Sequence, residues 1–283
     1  MIDLHQHSTF SDGTDNVEQL IKNNISAGIK YMSITDHDNF NSAQYINDVL
    51  KNDIKINYIP GIEFSADYEN DSTHILAYNF NLDDAAVNHL VDEGTRLRKA
   101  RVYERIDILK KDFNILLTPQ MLEQVNNASH PGRPMIANFL IELGYGDTVN
   151  EVIQKYMYHK LPQNKLDAVY TIQKLNNSSA ISVWAHPLGG VGEKRIEKST
   201  FEKRLKEFTS AGLKGLECYY SLYSKTEQEY LVNLAKKYNL LISAGSDYHG
   251  TNKTVKIGEL SNYGFTPKIE DVTISSSLFE NKE

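Results

Sequence analysis

Short apolar or alternating stretches recur at both ends of the chain, and segments with helical spacing separate them. The first, "MIDLHQH", alternates Ile2 and Leu4 with polar residues, as a short strand does. Val17 and Leu20 then recur at helical spacing. Further strands are predicted at "KYMSITDHD", "IKINYIPGIEFSA", "STHILAYNF", "AISVWAHP", "LKGLECYY" and "LLISAGSDYHG". Strands that alternate with helices over short loops indicate an α/β fold with a largely parallel sheet.

The middle of the chain has a different pattern. From about residue 85 to 175, apolar residues repeat at helical spacing and no convincing strand is present. This predicts a helical insertion at 85–175 between two parts of one α/β body, residues 1–84 and 176–266. The polar segment 267–283 is expected to be a marginally ordered C-terminal tail.

Composition then excludes several classes of protein. A net charge of −7 leaves no excess of cations to neutralise a phosphate backbone, so stable DNA binding is not expected. A small nucleotide or short RNA held by a few local cations remains compatible with it. The single cysteine excludes a disulfide framework, and neither a signal peptide nor an apolar run of membrane-spanning length is present. We therefore expect a cytoplasmic protein without a membrane partner; its oligomeric state is left open.

Histidines and carboxylates gather at the predicted strand ends. Six of the nine histidines lie there, and so do five acidic residues. They are His5, His7, His37, His74, His186 and His249, with Asp12, Asp36, Asp38, Glu63 and Asp247. In a parallel barrel the carboxyl ends of the strands converge on one face, so we expect these side chains to meet. His74 begins its strand, and only an antiparallel strand would bring it to the same rim.

The residue types at these strand ends favour a catalytic metal site. Imidazole and carboxylate without thiolate are ligands of Zn²⁺, Mn²⁺ and Fe²⁺, and they disfavour a structural zinc site. These histidines and carboxylates are more ligands than one ion can coordinate. They predict two or three ions that share a bridging carboxylate, an arrangement suited to phosphoryl chemistry.

Six motifs carry a family resemblance. In this order, they are "DLHQHSTFSDG", "ITDHD", "GIEFS", "HILAY", "WAHP" and "GSDYHG". Together they resemble the PHP (polymerase and histidinol phosphatase) superfamily of metal-dependent phosphoesterases. The central "HPGRPMIANFLIELG" resembles the branch with a helical insertion, whose members hydrolyse nucleoside 3′,5′-bisphosphates or trim RNA from its 5′ end. The resemblance implies a distorted (β/α)₇ barrel with its site at the C-terminal rim and usually three metals.

The resemblance also implies how the ligands are shared. The first ion takes His5, His7, Glu63 and Asp247. Glu63 bridges to a second ion, which is completed by His74 and His186. The third ion takes Asp12, His37 and His249.

Three of the acidic residues have further expected roles at the site. Asp12 stands where some relatives have histidine, and a carboxylate there favours Mn²⁺ or Fe²⁺ over Zn²⁺. Asp36 and Asp38 are expected either to orient His37 or to cap the loop.

Candidate substrate contacts are fewer. Arg133, next to a glycine and between Pro131 and Pro134, is presented stiffly and suits a fork to a phosphate; an ion pair between insertion and barrel is the alternative. Ser65 and Lys165 resemble phosphate contacts of the branch, with a strand-end cap and a solvated loop as their alternatives. Tyr223 stands where relatives often carry histidine, which leaves the substrate open.

Three functions follow as hypotheses. The first is a phosphoesterase that acts on the 3′-phosphate of nucleoside 3′,5′-bisphosphates or on the 5′ ends of short RNA, with a hydroxide bridging two ions as nucleophile and no protein nucleophile. The second keeps the fold and takes a small substrate of the histidinol phosphate type. The third is a non-catalytic metal-binding module.

Overall fold

The computed structural model describes residues 1–50, 55–69, 71–128, 130–159, 161, 165–191 and 193–279. The chain forms two compact units, Met1–Val91 with Leu166–Glu283, and Asp92–Lys165. The second unit is shorter than the insertion predicted at 85–175. The difference arises largely because residues 168–175 form a helix that packs against strands of the first unit.

The first unit is built on two sheets. The smaller is parallel and contains β1 (Ile2–Asp3), β2 (Tyr31–Met32) and β3 (Asn57–Tyr58). The larger contains β4 (Gly61–Tyr68), β5 (Asp71–Tyr78), β6 (Leu166–Asp167), β7 (Ile181–Trp184), β8 (Gly215–Tyr220) and β9 (Leu241–Gly245). Its order is β6-β4-β5-β7-β8-β9. β5 is antiparallel to β4 and β7, as the position of His74 required, and the other pairs are parallel.

Two parallel bridges join the sheets into a barrel. Gln6 pairs with Tyr248, so the continuation of β1 adjoins that of β9, and His37 pairs with Glu63, so the continuation of β2 adjoins β4. The strand predicted across residues 54–66 is divided at Pro60 into β3 and β4. With those two as one strand, the described residues close a barrel of β1, β2, β3/β4, β5, β7, β8 and β9. This confirms the distorted seven-stranded barrel.

Helices follow the strands of the first unit. They are α1 (Val17–Ser26), α2 (Asn41–Tyr45) with a π-helical turn (Ile46–Leu50), α7 (Ala168–Leu175), α8 (Lys198–Ser210), α9 (Lys225–Lys237) and α10 (Ile274–Phe279). Side chains of Asn16, Asp167 and Ser224 cap α1, α7 and α9 by accepting backbone N–H groups. On the outer side of β7, the Trp184 ring packs against Phe201 and Phe208 of α8, with centroids 5.2 and 4.8 Å away.

The second unit is helical. α3 (Ala85–Phe113) runs into it, and α4 (Pro119–Asn127), α5 (Arg133–Glu142) and α6 (Val149–Tyr156) complete it. These helices enclose a core of their own, whose buried members include Leu109, Val125, Ile136, Leu140 and Val152. The helical interpretation holds for this unit, because the apolar spacing reports one buried face on each helix. It is wrong at β6 (Leu166–Asp167), a two-residue strand inside the range 85–175 where no strand is predicted, because so short a strand has no apolar pattern of its own.

The C-terminal segment differs from the expectation of a marginal tail over 267–283. Val272, Ile274 and Leu278 are buried, and the Thr273 hydroxyl accepts a 2.9 Å hydrogen bond from the Ile242 N–H of β9. The segment therefore packs on the barrel as far as residue 279, and residues 280–283 lie outside the described ones. Its few apolar side chains are enough to dock it, although most of its residues are polar.

Candidate metal centre

Two histidines directly after β1 begin the centre. His5 and His7 are fully buried and lie two residues apart on extended backbone, so both face the same side. Their Nε2 atoms lie 3.3 and 3.1 Å from Oε2 of Glu63 on β4. Asp247, just after β9, brings Oδ1 to 3.6 Å from His5 Nε2 and 3.5 Å from His7 Nε2. These four residues form one potential ligand group.

The second carboxylate oxygen of Glu63 faces a second group. Oε1 lies 2.9 Å from His74 Nδ1 on β5 and 3.1 Å from His186 Nε2 beyond β7. One oxygen therefore faces each group of imidazoles, which is the arrangement of a bridging carboxylate.

Asp12 is at the centre of the third group. Its Oδ1 lies 3.2 Å from His249 Nε2, and its Oδ2 lies 3.8 Å from His37 Nε2. Its side chain is 37% exposed, against 4% for that of Asp247, so this group is the one most open to solvent.

The three groups overlap and contain the nine residues that the family resemblance implied. Within each group the ligand atoms lie within 4.8 Å of one another. The groups are His5, His7, Glu63 and Asp247; Glu63, His74 and His186; and His7, Asp12, His37 and His249.

The donor atoms fit divalent metal ions. His5 Nε2, His7 Nε2 and Asp12 Oδ1 are buried and make no hydrogen bond. Leaving buried polar atoms unsatisfied costs about 1–3 kcal/mol each, and a bound cation removes that cost. Nitrogen and oxygen donors without sulfur suit Mn²⁺, Fe²⁺ and Zn²⁺ alike, so the chemistry supports metal dependence without selecting one metal.

The electrostatics prepare the carboxylates for this role. Burial alone would raise the pKa of Glu63, but the imidazoles of His5, His74 and His37 bring it well below its usual range. For Asp247, Lys253 and His249 likewise outweigh burial and lower the pKa. Burial lowers the pKa of His5, but Glu63 and Glu217 more than offset it and raise the value to about 10.

Two glutamates that the sequence analysis did not select orient the ligands. Glu217, in the middle of β8, places Oε1 3.0 Å from His5 Nδ1, and its Oε2 accepts the His186 backbone N–H at 2.6 Å. Glu193 places Oε2 3.1 Å from His186 Nδ1. A charged residue inside the apolar strand "GLECYY" is a signal that marks Glu217, whereas Glu193 lies in a loop without a pattern.

Two tyrosines of the same region hold neighbouring groups. The Tyr220 hydroxyl donates to Asp247 Oδ2 at 2.9 Å. The fully buried Tyr223 accepts the Leu188 N–H at 2.7 Å, so it fixes the loop that follows His186. Tyr223, which stands where relatives often carry histidine, thus supports the loop that carries His186.

The two aspartates beside His37 act on other groups. Asp36 accepts hydrogen bonds from the hydroxyls of Ser8, Ser11 and Ser42, and Ser11 Oγ lies 3.3 Å from His7 Nδ1. We expected Asp36 to orient His37 or to cap the loop; its bonds organise the loop and reach His7 through Ser11.

Asp38 ties the same loop to β4. Its carboxylate accepts the Ser65 N–H at 2.7 Å, and its own N–H donates to the Glu63 carbonyl at 3.0 Å. Asp38, His186 and Asp247 have φ values of 53°, 28° and 61°. Such left-handed conformations are uncommon for residues other than glycine, and they concentrate at functional sites.

The predicted substrate contacts fall in both units. Ser65 is buried on β4, two residues from Glu63 and paired with His74. Arg133 is exposed at the start of α5 and Lys165 is the last residue of the second unit, so both belong to that unit. Their contact with phosphate stays a prediction. Among the described residues, no helix is both long and apolar enough to cross a membrane.

Comparison with known proteins places this centre in a family. The sequence model of the PHP domain matches residues 3–157. The chain is 26% identical to the 5′-3′ exoribonuclease Rnm of Salmonella typhimurium, over 90% of this chain and 87% of that protein. It is 24% identical to the phosphoribosyl 1,2-cyclic phosphate 1,2-diphosphodiesterase of Eggerthella lenta, over 93% and 97%.

A solved structure shares the fold. It comes from Bifidobacterium adolescentis, is assigned as a metal-dependent phosphoesterase, and superposes with a TM-score of 0.79 at 23% identity, covering 96% of this chain and 95% of its own. The chain therefore belongs to the PHP domain family of metal-dependent phosphoesterases, which are hydrolases of phosphoric ester bonds.

Proposed function

We propose that this protein hydrolyses the 3′-phosphate of nucleoside 3′,5′-bisphosphates, the 5′ ends of short RNA, or both. The observation that carries the reaction type is Glu63, whose two oxygens face two separate groups of imidazoles 2.9–3.3 Å away. Adjacent divalent ions bound there would activate water and take up charge on the phosphoryl oxygens. The ligands fit two or three ions, with Mn²⁺, Fe²⁺ and Zn²⁺ as candidates.

The chain's own residues position that chemistry. Glu217 and Glu193 fix the ring orientation of His5 and His186, so one nitrogen of each ring faces inward. Imidazoles within the centre are taken up as ligands, which favours direct attack by water over a protein nucleophile. Attack in line with the leaving alkoxide then needs mainly correct positioning.

A group of cations in the second unit supports an anionic second group on the substrate. Burial and then the like charge of the neighbouring Arg133 lower the pKa of Arg105 to about 10, as expected for two cations that repel each other. Arg98 Nη1 also lies close to Gly132, the residue before Arg133. A phosphate held there would relieve the repulsion and could be bound by a guanidinium fork. Ser65 and Lys165 are the further proposed contacts.

Two relatives suggest different phosphoesters. The exoribonuclease Rnm acts from the 5′ end of RNA by its name, and the Eggerthella lenta protein is named for a cyclic ribose phosphate. The cation group of the second unit fits both, because a phosphoribosyl cyclic phosphate also carries a 5-phosphate, and our preference for the first rests on the relatives named as 5′-3′ exoribonucleases.

The deciding experiment is a substrate panel with protein loaded with Mn²⁺. It compares adenosine 3′,5′-bisphosphate, a 5′-phosphorylated oligoribonucleotide, phosphoribosyl 1,2-cyclic phosphate and histidinol phosphate. We expect the highest kcat/KM for the first two. A preference for either of the others would overturn the substrate assignment. Full metal content without turnover of any phosphate ester would favour the non-catalytic module.

A further inference from the structure

Lys253 brings a cation to the edge of the metal centre. Its Nζ lies 2.7 Å from Asp247 Oδ2, and its side chain is only 20% exposed. The negative charges of Asp12 and Glu63 add to that of Asp247 in its surroundings. None of the sequence motifs singled out this residue.

The backbone holds Lys253 in place. It directly follows a short turn, Gly250–Asn252, that is bonded to the loop of Asp12. In that turn, Asn252 Nδ2 donates to the Asp12 carbonyl at 2.7 Å and the Thr251 N–H donates to Thr14 Oγ1 at 2.9 Å. The ammonium group is therefore presented from a fixed point and not from a free surface loop.

Support of Asp247 does not by itself explain why an ammonium group lies at this position. Tyr220 already donates to the same Oδ2 at 2.9 Å, while Oδ1 faces His5, His7 and His249. A lysine ammonium has three donors. In the part of the chain that the structure describes, Asp247 is the one hydrogen-bond acceptor it meets. Two donors remain beside a centre built for a phosphoryl group.

We propose that Lys253 binds the phosphoryl group of the substrate, and the phosphate product, through these two donors. A phosphoryl oxygen is a strong anionic acceptor, and a lysine binds it as a point charge. This inference rests on the proposed phosphoesterase function and adds a substrate-binding residue to it.

The test measures phosphate binding without turnover. Metal-loaded wild-type protein and Lys253→Met are titrated with inorganic phosphate by calorimetry, and their metal content is measured by elemental analysis. Loss of a charge-assisted hydrogen bond should weaken phosphate binding roughly ten- to hundredfold. Metal content should stay at the wild-type value, and Lys253→Arg should recover part of the affinity.

Two control variants separate the direct role from indirect ones. Lys256→Met removes the same charge from an exposed lysine three residues further on, and should bind phosphate as the wild type does. Tyr220→Phe removes the other donor to Asp247 Oδ2, so it reports what losing support of Asp247 does to metal content.

Each outcome then decides the inference. It is overturned if metal-loaded Lys253→Met binds phosphate as the wild type does, whether its metal content is unchanged or falls as that of Tyr220→Phe does, because Lys253 would then make no contact with phosphate. It is also overturned if loaded wild-type protein binds no phosphate. Should Lys253→Met not fold, as judged by circular dichroism, Lys253→Gln takes its place. Phosphate binding that depends on Lys253, without turnover of any ester, would sink the proposed function and leave the inference standing.

Discussion

At the scale of single residues, each ligand needs a second contact to determine which atom faces the centre. His5 shows this most clearly: Glu217 lies 3.0 Å from Nδ1, so Nε2 is the atom left to face Glu63. A hydrogen bond at one ring nitrogen fixes the tautomer that presents the other to a metal. The carboxylate of Glu217 is fully buried, so water does not compete for this contact.

Glu217→Gln tests the contact to His5. The amide keeps the shape of the side chain and removes its charge, so the variant should bind Mn²⁺ about 10- to 100-fold more weakly. Competition with a fluorescent chelator measures the affinity. Glu229→Gln, an exposed change on α9, is the matched control and should bind as the wild type does. Equal affinities of the two variants would show that Glu217 has no orienting role.

Arg133→Ala tests the proposed second phosphate contact. Losing one charge-assisted pair to phosphate should raise KM for adenosine 3′,5′-bisphosphate roughly tenfold to a hundredfold, because such a pair contributes about 1.5–3 kcal/mol. KM for a plain phosphate monoester should change little. Arg96→Ala, which removes an exposed arginine of a different helix, α3, supplies the control. If KM rises equally for both substrates, Arg133 has a structural role only.

The nine candidate ligands could be selected from the sequence, but most of their supporting contacts could not. His5, His37, His186 and Asp247 each stand just beyond an apolar run, and strand ends converge in any parallel barrel. The contact between Glu217 and His5 joins residues more than 200 positions apart, and only the closed barrel brings them together. Asp36 shows the same limit, because its neighbour in sequence is His37 and its hydrogen bonds lead to His7.

At the scale of elements, apolar pattern predicts that an element exists better than it predicts what that element packs against. The spacing of Ala168, Ile172 and Leu175 is helical whether α7 covers the barrel or continues the insertion. Its packing on β4 and β5 assigns it to the barrel. The apolar pattern also does not show that one predicted strand is divided at Pro60 into β3 and β4, where proline removes a backbone hydrogen-bond donor from the ladder.

Truncation of the C-terminal segment tests its packing on β9. Removing residues 267–283 exposes the surface covered by Val272, Ile274 and Leu278, each worth roughly 1.5–3 kcal/mol when fully buried. That loss is a large part of the 5–15 kcal/mol typical of a folded protein, so the urea midpoint should fall steeply or the chain should fail to fold. Removing only residues 280–283 is the control. A midpoint unchanged by the longer truncation would contradict the packing.

At the scale of the whole molecule, the candidate metal centre connects strands of the barrel that are far apart in sequence. Its ligands come from the ends of β1 and β9, the loop after β2, and strands β4, β5 and the end of β7. Ions that bind this folded arrangement and not the unfolded chain stabilise it in proportion to the logarithm of their concentration. His7 and Glu63 each belong to two of the three candidate ligand groups, so removing either side chain should weaken metal binding in two groups at once.

Metal removal and His7→Ala test the coupling together. Elemental analysis of protein purified without chelator should find more than one transition ion per chain. At a hundredfold excess over the dissociation constant, bound Mn²⁺ should raise the free energy of unfolding by about 2.7 kcal/mol, or Tm by roughly 5–10 °C, compared with chelator-treated protein.

His7→Ala should lose most of that increase and nearly all activity, yet still fold, because the apolar packing of β7 against α8 does not involve His7. His159→Ala, on a histidine of the second unit beside Asp112, should keep both. A metal-free preparation with full activity would refute the metal dependence, and an unfolded His7→Ala would mean that the ions hold the fold together.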